Sequence, residues 1–143
     1  METVDNRELL HSRSIRATRK KLAILGEITK SSRPLSASEL YGRIASRLPL
    51  DLATVYRTLN MLRERRLVRE ITDATGTQYY EIADIHNPAH PHFKCVCCSL
   101  ISCLPSLRGG DDAFMSRCAR GCEVHDVSII LTGICGNCRK EKP

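Results

Sequence analysis

The sequence contains no Trp, only four Tyr and two Phe, and aromatics make up 4% of it. Large cores draw heavily on aromatic area, so thin cores are expected, of a kind that a metal staple would help. No apolar run approaches the ~20 residues a membrane helix needs. The first twenty residues alternate in charge and lack the apolar stretch of a secretory signal. A cytoplasmic protein with no membrane association is therefore expected. Catalytic patterns are missing as well. A zinc deaminase needs H-x-E with P-C-x-x-C, but Phe93 and Lys94 follow His92, and no Pro precedes either cysteine pair. With no nucleophile–base pair either, the expectation is a protein that is not an enzyme.

What is present begins with charge. The 143 residues carry a formal +6, and their length fits one ordinary domain or two small ones. Residues 1–83 hold 15 Lys/Arg against 10 Asp/Glu, and the remainder holds 7 against 6. A basic first half suggests a polyanionic partner, nucleic acid being the commonest. The eight cysteines, in a reducing compartment, argue for metal ligands or redox thiols over a disulfide scaffold.

Leu22, Ala23, Leu25 and Ile28 recur at helical spacing behind Thr18, a good N-cap. "SSRPLS" breaks this helix, and Ala37 to Leu48 reads as a second. Pro49 closes that one, and Asp51 caps a third whose buried stripe is Val55, Leu59 and Leu62. Val68 to Thr72 and Gln78 to Ile82 read as strands joined by the turn "DATG". Three helices and a two-stranded wing make a winged helix-turn-helix, whose third helix enters the major groove of double-stranded DNA. Its polar face carries Thr54, Tyr56, Arg57, Asn60 and Arg63, types suited to base edges and phosphates. The expected DNA-contacting set is Arg16, Arg19, Thr54, Tyr56, Arg57 and Asn60.

Composition changes after Tyr80, and the boundary is placed at 83/84. Residues 84–143 are expected to form a small α/β domain. It would have a strand at "LISCL", a weak helix from Ala113 to Ala119, and a strand within "HDVSIILTGIC". Cys95-x-x-Cys98 and Cys135-x-x-Cys138 are two knuckles, which together supply the four thiolates of a tetrahedral structural zinc site. A thioredoxin-like role would need only one C-x-x-C, at a helix start near a βαβ unit. Cys97 should point away from that zinc. Cys118 and Cys122 read as buried small apolar residues. His90 and His92 alternate along an extended segment and so share a face. If that face meets Cys103, a second site of mixed ligands results, with Asp84 and His86 as nearby candidates.

"RATRKKLAIL", "LSASELYGRI", "DLATVYRTLNMLRERRLV", "HPHFKCVCC" and "LTGICGNC" together resemble the ferric uptake regulator superfamily. The resemblance runs from about Ile15 to Cys138. It implies a dimeric, metal-responsive bacterial repressor of α+β class. An N-terminal winged helix would be followed by an α/β dimerisation domain with a four-cysteine zinc site and a regulatory metal near the interdomain hinge. The ligand pattern carries over in part. Asp84, His90 and His92 match it. Pro34 stands where iron and peroxide sensors use a histidine. Cys103 replaces an acidic residue, and Val127 replaces a histidine, with His125 offset by two. Asp84, His90, His92 and Cys103 make a set that suits Zn²⁺ better than Fe²⁺ or Mn²⁺. The expectation is thus a zinc-responsive homodimer that represses metal-uptake genes. An iron- or peroxide-responsive regulator and a thiol switch through Cys97 and Cys103 are the alternatives.

Overall fold

The computed structural model describes residues 5–84, 86–106, 115, 117–124 and 127–141. The chain divides into two compact units, Met1–Asn87 and Pro88–Pro143. The division falls four residues later than 83/84, because Asn87 remains tied to the end of the first unit. Its Nδ2 donates to the Ile82 carbonyl (2.6 Å) and its N–H to Asp84 Oδ1 (2.9 Å).

The first unit is a winged helix. It begins with α1 (Asn6–Ser12), which sequence patterning did not anticipate. Asp5 caps this helix, and Leu10 is its buried anchor. Helix α2 (Arg19–Lys30) starts at the Thr18 cap, whose hydroxyl accepts from Lys21 N. A two-residue strand, β1 (Leu35–Ser36), leads into α3 (Ala37–Ile44). That helix ends four residues before the expected Leu48. It opens on a capping box: Ser36 Oγ accepts from Glu39 N, and the Glu39 carboxylate accepts from Ser36 N. Helix α4 (Leu52–Glu64) starts at Asp51, whose Oδ1 accepts from Thr54 N at 2.7 Å. Strands β2 (Val68–Thr72) and β3 (Gln78–Ile82) form the wing at the expected bounds, and the sheet order is β1-β3-β2, all antiparallel. One apolar core runs through these elements, with Ile24, Leu25, Leu40, Ile44, Leu59 and Leu62 fully covered.

The second unit holds a three-stranded sheet. Strand β4 (His92–Cys95) lies between β5 (Ile101–Cys103), antiparallel to it, and β6 (Ile130–Gly133), parallel to it. Helix α5 (Gly136–Glu141) follows. Met115, Arg117 and Cys118 are helical, while the remainder of the expected 113–119 helix is at turn residue Ala119 or outside the described residues. Of the expected 125–135 strand, residues 125 and 126 lie outside the described residues, and among the rest β6 is the strand. Of the described residues here, Pro91, Cys95 and Ile101 are the buried apolar side chains, against 18 in the first unit, Pro34 among them.

Candidate metal centres and DNA-facing helix

Parallel neighbours point the same way, so β4 and β6 end side by side, with Cys95 paired to Gly133. Val96 N donates to the Gly133 carbonyl at 2.8 Å, which extends the ladder into the first knuckle. Ser99, at φ 62°, turns the chain back toward β5. Both knuckles thus emerge at one end of the sheet. The sulfurs of Cys95, Cys98, Cys135 and Cys138 all lie within 4.8 Å of one another, and Cys98 Sγ is 4.0 Å from Cys135 Sγ. Tetrahedral zinc with bonds near 2.3 Å needs sulfurs roughly 3.8 Å apart. The donor set therefore fits a structural zinc with little adjustment. N–H groups of Cys98 and Cys135 aim at Cys95 Sγ and lower its thiol to about 6. Hydrogen bonding to Cys135 pushes the Cys138 thiol up.

Cys97 is exposed and outside this cluster. Cys118 and Cys122 are exposed as well, which corrects the expectation that they are buried. The short turn here is held by Ala119 N on Met115 O and Cys122 N on Ala119 O, with Gly121 at φ 81°.

A second cluster forms across β4 and β5. His92 pairs directly with Cys103 in the antiparallel register, and directly opposed residues project from the same face. The His90 and His92 rings sit 4.5 Å apart, centroid to centroid. One ring nitrogen from each histidine and the Cys103 sulfur lie within 4.8 Å of one another. His92 is almost fully buried, His90 half-buried and Cys103 exposed. His90 Nδ1 is 2.8 Å from the Pro88 carbonyl. A proton there leaves the Nε2 lone pair to act as a metal donor, the usual arrangement of a ligating histidine.

Asp84 and His86, the other expected ligands, lie in the first unit. Asp84 Oδ1 instead accepts from the N–H groups of His86 (2.8 Å) and Asn87 (2.9 Å), capping the turn that closes the first unit. His86 is exposed. Sequence reasoning passed over Glu81, a carboxylate of the first unit. It is buried on β3 and ion-paired with Arg69 at 2.8 Å. The available signal was strand alternation, since Glu81 shares a face with buried Tyr79. Pro34 is buried and offers no donor, and neighbouring Arg33 is committed to Glu39 at 2.6 Å. Val127 is half-buried, and His125 lies outside the described residues.

On α4 the outward face carries Tyr56, Arg57 and Asn60, all exposed, with Thr54 half-buried behind them. Spacings of three and four residues bring 56, 57 and 60 to one side. Arg57 Nη2 donates to Thr54 Oγ1 at 3.1 Å, which aligns the guanidinium along the helix. Hydrogen bonds from Thr54 hold the Asp51 carboxyl below its ordinary range. Arg63 instead turns to the wing and binds Glu70 at 3.0 Å. Burial beside this pair pushes the Tyr80 phenol up to about 12. Arg16 and Arg19 are exposed, on either side of the Thr18 cap.

The family model "Ferric uptake regulator family" matches residues 12–108, more than half of the chain. The chain belongs to the ferric uptake regulator family. It is 29% identical over 133 residues to the ferric uptake regulation protein of Bordetella parapertussis, covering 92% of this chain and 94% of the relative. The structure of the Vibrio cholerae ferric uptake regulator is similar to it at a TM-score of 0.74 and 26% identity, covering 92% of this chain and all of that one. The Pseudomonas aeruginosa ferric uptake regulator, solved with manganese, gives 0.70 and 25%, covering 94% and 99%. Family membership makes this chain a metal-responsive transcription regulator with an α+β, winged-helix architecture. Among the described residues, no helix is long and apolar enough to cross a membrane.

Proposed function

We propose that this chain is a zinc-responsive repressor, acting as a cytoplasmic homodimer on double-stranded operators of metal-uptake genes. Cys95, Cys98, Cys135 and Cys138 hold structural zinc. His90, His92 and Cys103 supply the regulatory ion's ligands from the second unit. The observation that carries the zinc assignment is the His92–Cys103 pairing. It brings a thiolate to two imidazoles, where a site for harder ions would favour oxygen donors. Two nitrogens and one sulfur make a donor set that suits Zn²⁺ over Fe²⁺ or Mn²⁺.

Arg57, Tyr56 and Asn60 meet base edges, with Thr54 behind them, and Arg16 and Arg19 meet phosphates. Metal binding need only favour the DNA-binding state over its alternative. A hundredfold preference corresponds to ~2.7 kcal/mol of coupling. The test is fluorescence anisotropy of operator-like DNA against buffered free Zn²⁺, with anaerobic Fe²⁺ and Mn²⁺ in parallel on protein that retains structural zinc. Binding should switch on with zinc at the lowest free concentration. Cys103→Ser should raise the zinc needed without unfolding the chain. A switch driven by Fe²⁺ or Mn²⁺ at lower free metal would reject the zinc assignment in favour of an iron- or peroxide-responsive regulator.

A further inference from the structure

Arg63 belongs to the polar face of α4, yet the wing holds it. It follows Tyr56 by seven residues and Asn60 by three, so helical spacing keeps it on their side. Its Nη1 donates to Glu70 Oε2, on β2, at 3.0 Å. The other carboxylate oxygen, Oε1, accepts from Gln78 Nε2, on β3, at 3.0 Å. Tyr80 stands directly opposite Glu70 in the wing, and its hydroxyl donates to Gln78 Oε1 at 3.4 Å. A helix and both wing strands therefore meet at one carboxylate, and every side chain involved lies in the first unit.

Both oxygens of Glu70 are engaged and its side chain is only 16% exposed, while that of Arg63 is 44% exposed. Solvent still reaches the guanidinium, but the carboxylate is fixed in place. A pair this accessible contributes little to stability. Its effect on a polyanion is larger. Each Arg that meets a phosphate of duplex DNA releases counterion and steepens the slope of log K against log salt by about 0.9. An Arg63 that left Glu70 for a phosphate would strand a mostly covered carboxylate beside the same DNA. That exchange carries both desolvation and repulsion against it.

We propose that Glu70 is a positioning residue of the DNA-binding surface: it holds Arg63 on the wing, away from the phosphates, and so keeps sequence-independent binding weak. This rests on α4 being the DNA-facing helix. Glu70 touches no DNA itself. Base reading by Arg57 and Asn60 is left as it is, so the restraint acts on every duplex alike. A regulator that metal must switch on needs such a restraint, because sequence-independent contacts hold it on DNA in either state.

The experiment measures fluorescence anisotropy on full-length, zinc-saturated protein across about 50–200 mM salt. Two duplexes serve as probes, one that the parent selects from a random pool and one of random sequence. The variants are Glu70→Gln, Arg63→Gln, the double variant and Arg57→Ala, with melting temperatures recorded alongside. Glu70→Gln keeps the shape and one acceptor but loses the charge. It should bind both duplexes more tightly, with a salt slope steeper by about 0.9 per protomer. The double variant should return to the parent slope, and Arg63→Gln alone should keep it. An unchanged slope in Glu70→Gln would overturn the proposal and leave the pair a structural link between α4 and the wing. A gain that persists in the double variant would overturn it in favour of direct repulsion between Glu70 and DNA. A slope shallower by about 0.9 in Arg63→Gln would show that Arg63 already meets a phosphate, and this result decides the matter even if Glu70→Gln fails to fold. Parent-like binding of both duplexes by Arg57→Ala would instead remove the reading of α4 on which the proposal rests.

Discussion

Replacing Cys135 with Ser should unfold the second unit and spare the first. The magnitude follows from how little else holds residues 88–141 together. Pro91, Cys95 and Ile101 are the buried apolar side chains among its described residues, and full burial of even a large apolar side chain contributes only about 1.5–3 kcal/mol. Structural zinc contributes an apparent ~10–16 kcal/mol in small zinc-dependent folds. The ion therefore outweighs the apolar core that the described residues of this unit form. Losing one of four thiolates removes much of that term, and a sheet of three- and four-residue strands has nothing comparable to replace it. The first unit has 18 buried apolar side chains among its described residues to hold it. Limited proteolysis with zinc quantification is the assay. Cys135→Ser should release structural zinc and open Lys94, on the central strand β4, to trypsin, while a fragment containing the winged helix survives. Cys97→Ser, at an exposed position outside the cluster, should behave as the parent does. Retention of zinc in Cys135→Ser, with β4–β6 amides still protected from exchange, would refute the reasoning.

Other outcomes follow from the first unit. Leu59 is fully buried, so Leu59→Ala should cost about 2–5 kcal/mol in urea unfolding followed by helical signal. Burial raises the Glu39 carboxyl, but hydrogen bonds from Arg33 and Ser36 outweigh it and leave a net depression below 4.5. A depressed carboxyl stabilises the fold above its unfolded value, and that contribution is lost as pH falls through the lowered folded value. Glu39→Gln should therefore flatten the acid limb of stability below about pH 4.5, as read by midpoint against pH. Arg57→Ala should weaken operator binding by about 1–3 kcal/mol if it reads a base; an equal loss on random-sequence DNA would assign it to phosphate.

Local chemistry made much of the first unit legible. Thr18 and Asp51 cap α2 and α4 where their side chains announce it, and the stripe Val55, Leu59, Leu62 is buried. The wing strands match because alternation and the "DATG" turn are short-range signals. Helix α1 was not legible, since one buried leucine in seven residues makes no periodic pattern. The cysteine spacing named two knuckles, but only the parallel pairing of β4 with β6, across more than thirty residues, brings them to the same end of a sheet. In the same way, H-x-H placed His90 and His92 on one face, while the β4–β5 register decides that Cys103 stands opposite His92. Residue type and spacing determine which ligands a chain can offer. Strand register determines which of them face one point.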